Sequence, residues 1–144
     1  MTDLIDFSGP MIKPEYIHSD ITAEILGAAF ELHKIIGCGF SELVYHRAMI
    51  FECGIRQIET ESEISLPIFY KNVKVGARRV DLLVKKKVVV ELKAFSELND
   101  AHLAQAINYL EPFNLDVGLL INFGAKSVQY KRVIHPRLLR PNNQ

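Results

Sequence analysis

The stretch Val88–Ala94, VVVELKA, decides how this chain folds. Three valines in a row are the composition of a buried strand, and a strand covered on both faces reads as a continuous apolar run. Glu91 and Lys93 then stand two positions apart, on one face of that strand, where apolar residues belong. Taking an ionised carboxylate or ammonium out of water costs several kcal/mol unless it is paired or bound to a metal. Two charges in so apolar a strand need a partner or a cation.

Immediately upstream, Ala77–Val84 (ARRVDLLV) is a second apolar strand, with Lys85–Lys87 between the two as a turn. Symmetric antiparallel pairing about Lys86 places Val84 opposite Val88 and Asp81 opposite Glu91. Opposed residues lie roughly 4.5–5.5 Å apart at Cα and point to one face, which Lys93 shares. A slip of one residue would undo this convergence. Facing carboxylates repel unless one is protonated or a cation lies between them. Such oxygen donors suit Mg²⁺ or Mn²⁺, which complete their shells with water and phosphate. A neighbouring lysine can bind the scissile phosphate or position the attacking water, so the trio fits metal-assisted phosphodiester hydrolysis. The plainer alternative is a cross-strand ion pair, Glu91–Lys93 or Asp81–Lys93, on a half-exposed face.

Further out, Ile21–Ile36 has apolar residues at helical spacing (Ile25, Ala28/Ala29, Leu32, Ile36), with Ser19 or Asp20 as N-cap and Gly37–Gly39 as stop. Ser41 caps a second helix running to about Cys53, with Gly54 at its end. Ile58–Tyr70 turns to a period of two, and Pro67 marks a bulge or an edge strand. A helix from about Asn99 to Leu110 stops before Pro112, and two strands follow, DVGLLINF and SVQYKRVIH. The expected fold is an α/β sandwich with the order ααβββαββ. Its expected parts are an N-terminal arm (1–19), one domain (20–135) and a loose C-terminal tail (136–144).

A chain of 144 residues, 49% hydrophobic and 24% charged, has the composition of one globular domain. No apolar run approaches the roughly 20 residues that span a bilayer. The acidic N-terminus, broken by Pro10 and Pro14, does not read as a signal peptide. Cys38 and Cys53 lack metal-site spacing and are expected to be reduced core thiols in a cytoplasmic protein. The formal net charge is zero, yet residues 1–63 hold 11 acidic and 4 basic side chains and residues 64–144 hold 6 and 13. A neutral total can thus hide a polyanion-binding face, with Lys71, Lys74, Arg78, Arg79 and Lys85–Lys87 as phosphate contacts. Lysines solvating turns and strand edges are the alternative.

Asp81 followed by Glu91-Leu92-Lys93 at the ends of a hairpin resembles the PD-(D/E)XK nuclease superfamily. Gly39-x-x-Glu42-x-x-Tyr45, within GCGFSELVY, resembles the signature of its GxxExxY family, and ELHKIIGCG, RVDLLV, VVVELKA and GLLINFGA follow that family in order and spacing. The resemblance covers about residues 20–134. One departure is that Val80, not proline, precedes Asp81.

The resemblance implies a restriction-endonuclease-like core, a mixed sheet flanked by helices. It implies Asp81, Glu91 and the Leu92 carbonyl as ligands of Mg²⁺ or Mn²⁺, with Lys93 as the catalytic lysine. Gln105 and Tyr109, at i and i+4, resemble the Q-x-x-x-Y motif of RecB-type nucleases beside the active site. A packed amphipathic tyrosine is the other reading of Tyr109. Glu42 is a candidate additional ligand or a first-turn acid complementing the helix dipole. His33 is expected to complement its helix C-terminus rather than join a metal site. Arg78, Arg79, Tyr45 and His102 are candidate nucleic-acid contacts, His102 alternatively being a solvated first-turn histidine.

The function so implied is a divalent-metal-dependent nuclease hydrolysing DNA. A nuclease-fold nucleic-acid-binding or assembly module with weak or lost catalysis is the alternative, and a homodimer is a further option. Reuse of the fold by another nucleic-acid or nucleotide-processing enzyme is a third, since fold does not fix function.

Overall fold

The structure, a computed structural model, describes residues 16–139. The elements are α1 (Ser19–Ile36), α2 (Glu42–Ile55), β1 (Thr60–Tyr70), β2 (Val73–Val84), β3 (Val88–Lys93), α3 (Asp100–Asn108), the single turn α4 (Leu110–Phe113), β4 (Val117–Asn122) and β5 (Gln129–Ile134), with a 3₁₀ turn at Pro136–Leu139. This is the expected order, with α4 and the 3₁₀ turn added. Most of the arm, and residues 140–144 of the tail, lie outside the described residues.

The sheet runs β1-β2-β3-β4-β5, with β3 and β4 parallel and every other neighbouring pair antiparallel. β3 and β4 are buried almost throughout because both have neighbours on each side and helices on each face. On one face α1 and α2 lay Ile25, Ala29, Tyr45 and Met49 against Val90, Leu92 and Ile121. On the other, α3 and α4 lay Ala106 and Leu110 against Val80, Val89 and Leu120. Each fully buried leucine here is worth about 2–5 kcal/mol against alanine.

Helix ends differ in detail from the sequence expectation. The N-cap of α1 is His18, in the left-handed region at φ 58, so Ser19 and Asp20 fall inside the first turn. The Thr22 hydroxyl donates to the carbonyls of His18 and Ser19, tightening that turn. Ser41 is the N-cap of α2 by backbone geometry, but its side chain makes no capping hydrogen bond. Gly54 lies within the last turn of α2 rather than beyond it. Pro112 sits inside α4, because the chain restarts a turn at Leu110 and a proline early in a helix lacks only an N–H that would have no partner.

The β1–β2 hairpin closes at Lys71 and Asn72, both with positive φ, as a tight hairpin turn requires. β1 is an edge strand, which accommodates Pro67, and its register with β2 shifts between Ile68 and Phe69. A second irregularity lies deeper. Pairing of β1 with β2 passes from Ser62↔Leu82 to Ile64↔Val80 without joining Glu63 to Asp81, and Glu63 takes φ 55. Val80 and Leu82 should therefore share a face, yet they pack into opposite cores. β2 is kinked at Asp81, the kind of local distortion that re-aims a side chain.

Candidate active site

β2 and β3 pair as Val84↔Val88, Leu83↔Val89 and Leu82↔Val90, the register expected about Lys86. The ladder ends there. Asp81 and Glu91 are not backbone partners, because the kink carries the Asp81 carboxylate onto β3: its Oδ2 accepts the main-chain N–H of Leu92 at 2.7 Å. Asp81 Oδ1 lies 3.9 Å from Nδ1 of His46 on α2. Asp81 therefore meets β3 from the α2 side.

Glu91 reaches the same strand end from the α3 side, near enough to Asp81 for the two charges to interact. Its Oε2 lies 3.6 Å from Lys93 Nζ and accepts the Tyr109 hydroxyl at 3.3 Å. Its Oε1 is buried with no hydrogen-bond partner among the described residues. Burial, then the charge of Asp81, raise the Glu91 pKa to about 8 against the opposing pull of Lys93 and the Tyr109 hydrogen bond. Burial, followed by the Glu91 charge, pushes the Tyr109 hydroxyl up to about 12, so it remains a donor. Glu42, in the first turn of α2, is also raised. Partial desolvation is the largest cause, opposed by Lys93, reinforced by Asp81 and opposed by His46.

The end of β3 is held by Asn122, its parallel neighbour and a fully buried polar residue. Asn122 Oδ1 accepts from Phe95 N (2.8 Å) and Gly124 N (3.2 Å), while Nδ2 donates to Phe95 O (2.9 Å) and Gln129 Oε1 (3.0 Å). The Lys93 carbonyl accepts the N–H of Phe123 at 2.9 Å. Lys93 thus leaves a strand end fixed on its β4 side by main-chain and amide bonds. Sequence reading passed over Asn122 and His46. His46 sits four residues after Glu42, on the same helical face, which is the signal that could have found it.

The remaining candidates divide. Arg78 stands over the Tyr109 ring at 4.9 Å, while Arg79, one residue on, is exposed and 3.4 Å from Glu63. Gln105 is half-buried on α3 and makes no side-chain hydrogen bond among the described residues. His102 is not a free surface histidine. It closes a capping box with Asn99 and stacks on Phe95 at 4.5 Å, and burial followed by the Lys93 charge lowers its pKa.

Tyr45 is corrected as a nucleic-acid contact. It is fully buried, stacked on Phe123 at 4.8 Å, and donates its hydroxyl to the Gly37 carbonyl at 2.5 Å. The helix that begins beside Gly39 turns Tyr45 inward, with Met49 and Cys53. His33 does more than face a helix dipole: its buried Nε2 contacts the carbonyls of Phe123 (3.2 Å) and Ala125 (3.1 Å), so it must carry a proton there. Cys53 is buried, but Cys38 is exposed in the α1–α2 loop, not in a core. The basic residues do not form one patch. Lys71 and Lys74 lie at one end of β2 and Lys85–Lys87 at the other, about 40 Å apart along a strand of this length, and Lys85 is paired with Glu24 at 2.6 Å.

Asp81 and Glu91 supply two carboxylates, and Glu91 Oε1 is a buried acceptor without a donor among the described residues. That donor set fits a hard divalent cation, which commonly takes one or two carboxylates and fills its shell with water. Among the described residues, no group of three or more His, Cys, Asp or Glu side chains is gathered to hold a metal ion by itself. Such a cation would rely on main-chain oxygen, water and substrate for its other ligands. No helix among the described residues is long and apolar enough to cross a membrane.

Residues 19–133 match the sequence pattern of the PD-(D/E)XK nuclease superfamily. No curated protein matches the chain. Among solved structures, the chain is similar to one described as the crystal structure of SSO0001, with a TM-score of 0.54 and 16% identity over 83% of this chain. It spans 60% of that structure's length, and at this identity the likeness concerns the fold alone.

Proposed function

We propose that this chain, which belongs to the PD-(D/E)XK nuclease superfamily, hydrolyses DNA phosphodiester bonds at the Asp81–Glu91–Lys93 cluster. Nucleases of this superfamily typically use divalent metals. The observation that carries the reading is the buried Glu91 Oε1, without a hydrogen-bond partner among the described residues, beside Asp81 and Lys93. The pair with Lys93 uses Oε2 and leaves Oε1 as an acceptor for a further ligand. The words Gly39-x-x-Glu42-x-x-Tyr45 favour the GxxExxY branch.

In this reading Asp81, Glu91 and the Leu92 carbonyl would hold Mg²⁺ or Mn²⁺, with Glu42 as an outer or additional ligand. The bound ion supplies charge neutralisation for the phosphate and lowers the pKa of water. The Leu92 N–H holds Asp81 Oδ2 and so orients the carboxylate, leaving Oδ1, 3.9 Å from His46 Nδ1, as the oxygen to face a ligand. Tyr109 does the same for Glu91. Lys93, with a side chain only 12% exposed, holds its ammonium beside Glu91, where it orients a scissile phosphate oxygen or the attacking water. Gln105, one turn before Tyr109, lies on the helix flanking this group.

The test is incubation of purified protein with linear, circular and single-stranded DNA, with and without Mg²⁺ or Mn²⁺. Metal-dependent cleavage that disappears in Asp81→Asn supports the reading. Metal binding without cleavage of any substrate would favour a binding or assembly role.

A further inference from the structure

We propose that the cavity between the β1–β2 hairpin and the α3–α4 junction is a subsite for one unpaired nucleobase next to the scissile phosphate. This rests on the nuclease reading and adds a substrate class to it: nucleic acid with a single-stranded or flipped-out nucleotide at the cut.

The cavity has a volume of about 510 Å³, and Arg78 is one of the residues that line it. Its walls include Pro67 and Phe69 from the hairpin and Pro112 from α4, and its polar groups are Arg78, Asn108 and Glu111. That volume lies within the roughly 300–1,000 Å³ of ordinary ligand pockets. Flat apolar walls with a few polar groups at the edge suit a nucleobase, which has two apolar faces and a rim of donors and acceptors. Asn108 offers an amide to that rim. Glu111 has one oxygen bonded to His135 Nε2 at 2.5 Å, which leaves Oε2 outside that bond as an acceptor for an exocyclic amino group.

Charge placement decides which part of a nucleotide enters. Glu111 repels a phosphate, so the polyanionic backbone stays outside, and the cavity's cation is Arg78. Arg78 lies over the face of Tyr109, the residue whose hydroxyl reaches Glu91. One buried tyrosine therefore links the cavity's arginine to the Glu91–Lys93 pair, which places the cavity beside the candidate site. A base within a duplex has both faces covered by its neighbours. Only an unpaired base can enter a concave site of this kind.

Phe69 is 61% exposed, and Tyr70, Val73 and Val75 beyond it are exposed to a similar degree. For a stacking platform that exposure is a requirement rather than a defect. Association with a second copy through the same hairpin is the competing occupant, and the test separates them.

The test is fluorescence anisotropy with a labelled single-stranded oligonucleotide and a blunt duplex of the same sequence, with Ca²⁺ in place of Mg²⁺. Tighter binding of the single strand, weakened about 5- to 100-fold by Phe69→Ala, is expected, the span of one aromatic–base stack. Asn108→Ala should weaken it too, and both variants should leave duplex binding unchanged. Replacing successive nucleotides by abasic ones should weaken binding at one position. Equal affinity for duplex and single strand, an equal loss of both in Phe69→Ala, or a flat abasic scan would overturn the proposal. So would a Phe69→Ala effect confined to the oligomeric state measured by light scattering. Binding that shows this dependence, with no cleavage of any substrate once Mg²⁺ or Mn²⁺ replaces Ca²⁺, would sink the nuclease reading and keep the subsite. Cleavage indifferent to Phe69→Ala would do the reverse.

Discussion

Tyr109 donates its hydroxyl to Oε2 of Glu91 at 3.3 Å, joining the end of α3 to the centre of the sheet. It is the only side-chain hydroxyl that reaches Glu91 among the described residues, and Arg78 lies over its ring. Tyr109→Phe should cost about 1 kcal/mol of stability in urea unfolding, the net worth of one such bond. It should also weaken Mn²⁺ binding measured calorimetrically, since Glu91 loses the bond that favours its charged form. Tyr109→Ala should cost about 3–5 kcal/mol. An unchanged Mn²⁺ affinity in Tyr109→Phe would show that the hydroxyl does not position the carboxylate.

Glu91 gives stability an unusual pH dependence. Its pKa is about 8 in the folded protein, against an ordinary 4.5 when unfolded. Between those values the folded state keeps a proton that the unfolded state has lost. Metal-free stability therefore falls as pH rises from about 4.5 to about 8 and levels off above, as far as this group is concerned. Glu91→Gln should remove that slope and be more stable than wild type at the alkaline end in chelator. Mn²⁺ should then stabilise wild type and not Glu91→Gln. Parallel pH profiles for the two proteins would contradict the assignment.

Asn122 and Gly124 hold the segment that follows Lys93. Asn122→Ala would leave Phe95 N–H, Phe95 C=O and Gly124 N–H without their amide partner. Each costs about 1–3 kcal/mol if it stays buried and unpaired. At Gly124 a Cβ would stand 2.3 Å from the Phe95 carbonyl oxygen, so Gly124→Ala should cost about 3 kcal/mol or more. Thermal melts of both variants check this. A melting temperature within error of wild type for either would refute the clamp.

The two thiols should differ in reactivity. Cys38 is exposed, whereas Cys53 is buried and its thiol is pushed up to about 11, chiefly by desolvation. Brief alkylation of the native protein at about pH 8 should modify Cys38 alone, and urea should release Cys53. Mass spectrometry of the adducts reads the result, and modification of Cys53 under native conditions would contradict the packing of α2.

The order of elements was legible because the apolar periods are clean: Ile25, Ala29, Leu32 on α1 and the valine run of β3 leave little choice. The site register was legible for the same reason, since Lys86 centres the hairpin. The kink at Asp81 was not. It lies opposite Glu63, which takes positive φ in the neighbouring strand, and neither residue is a glycine or proline that would announce it. Tyr45 misled because spacing places it on the Glu42 side of α2, while a carbonyl of the preceding loop, Gly37, draws it into the core. His46 and Asn122 went unread because their roles depend on partners, Asp81 and Phe95, that are near only in space.

The most direct measurement is cleavage of linear DNA by wild type and Lys93→Met side by side, after both are shown to bind Mn²⁺. The account predicts cleavage by wild type only with Mg²⁺ or Mn²⁺, and a loss of about 100-fold or more in Lys93→Met, the scale of removing one electrostatic stabiliser. Equal metal-dependent rates in the two proteins would contradict it.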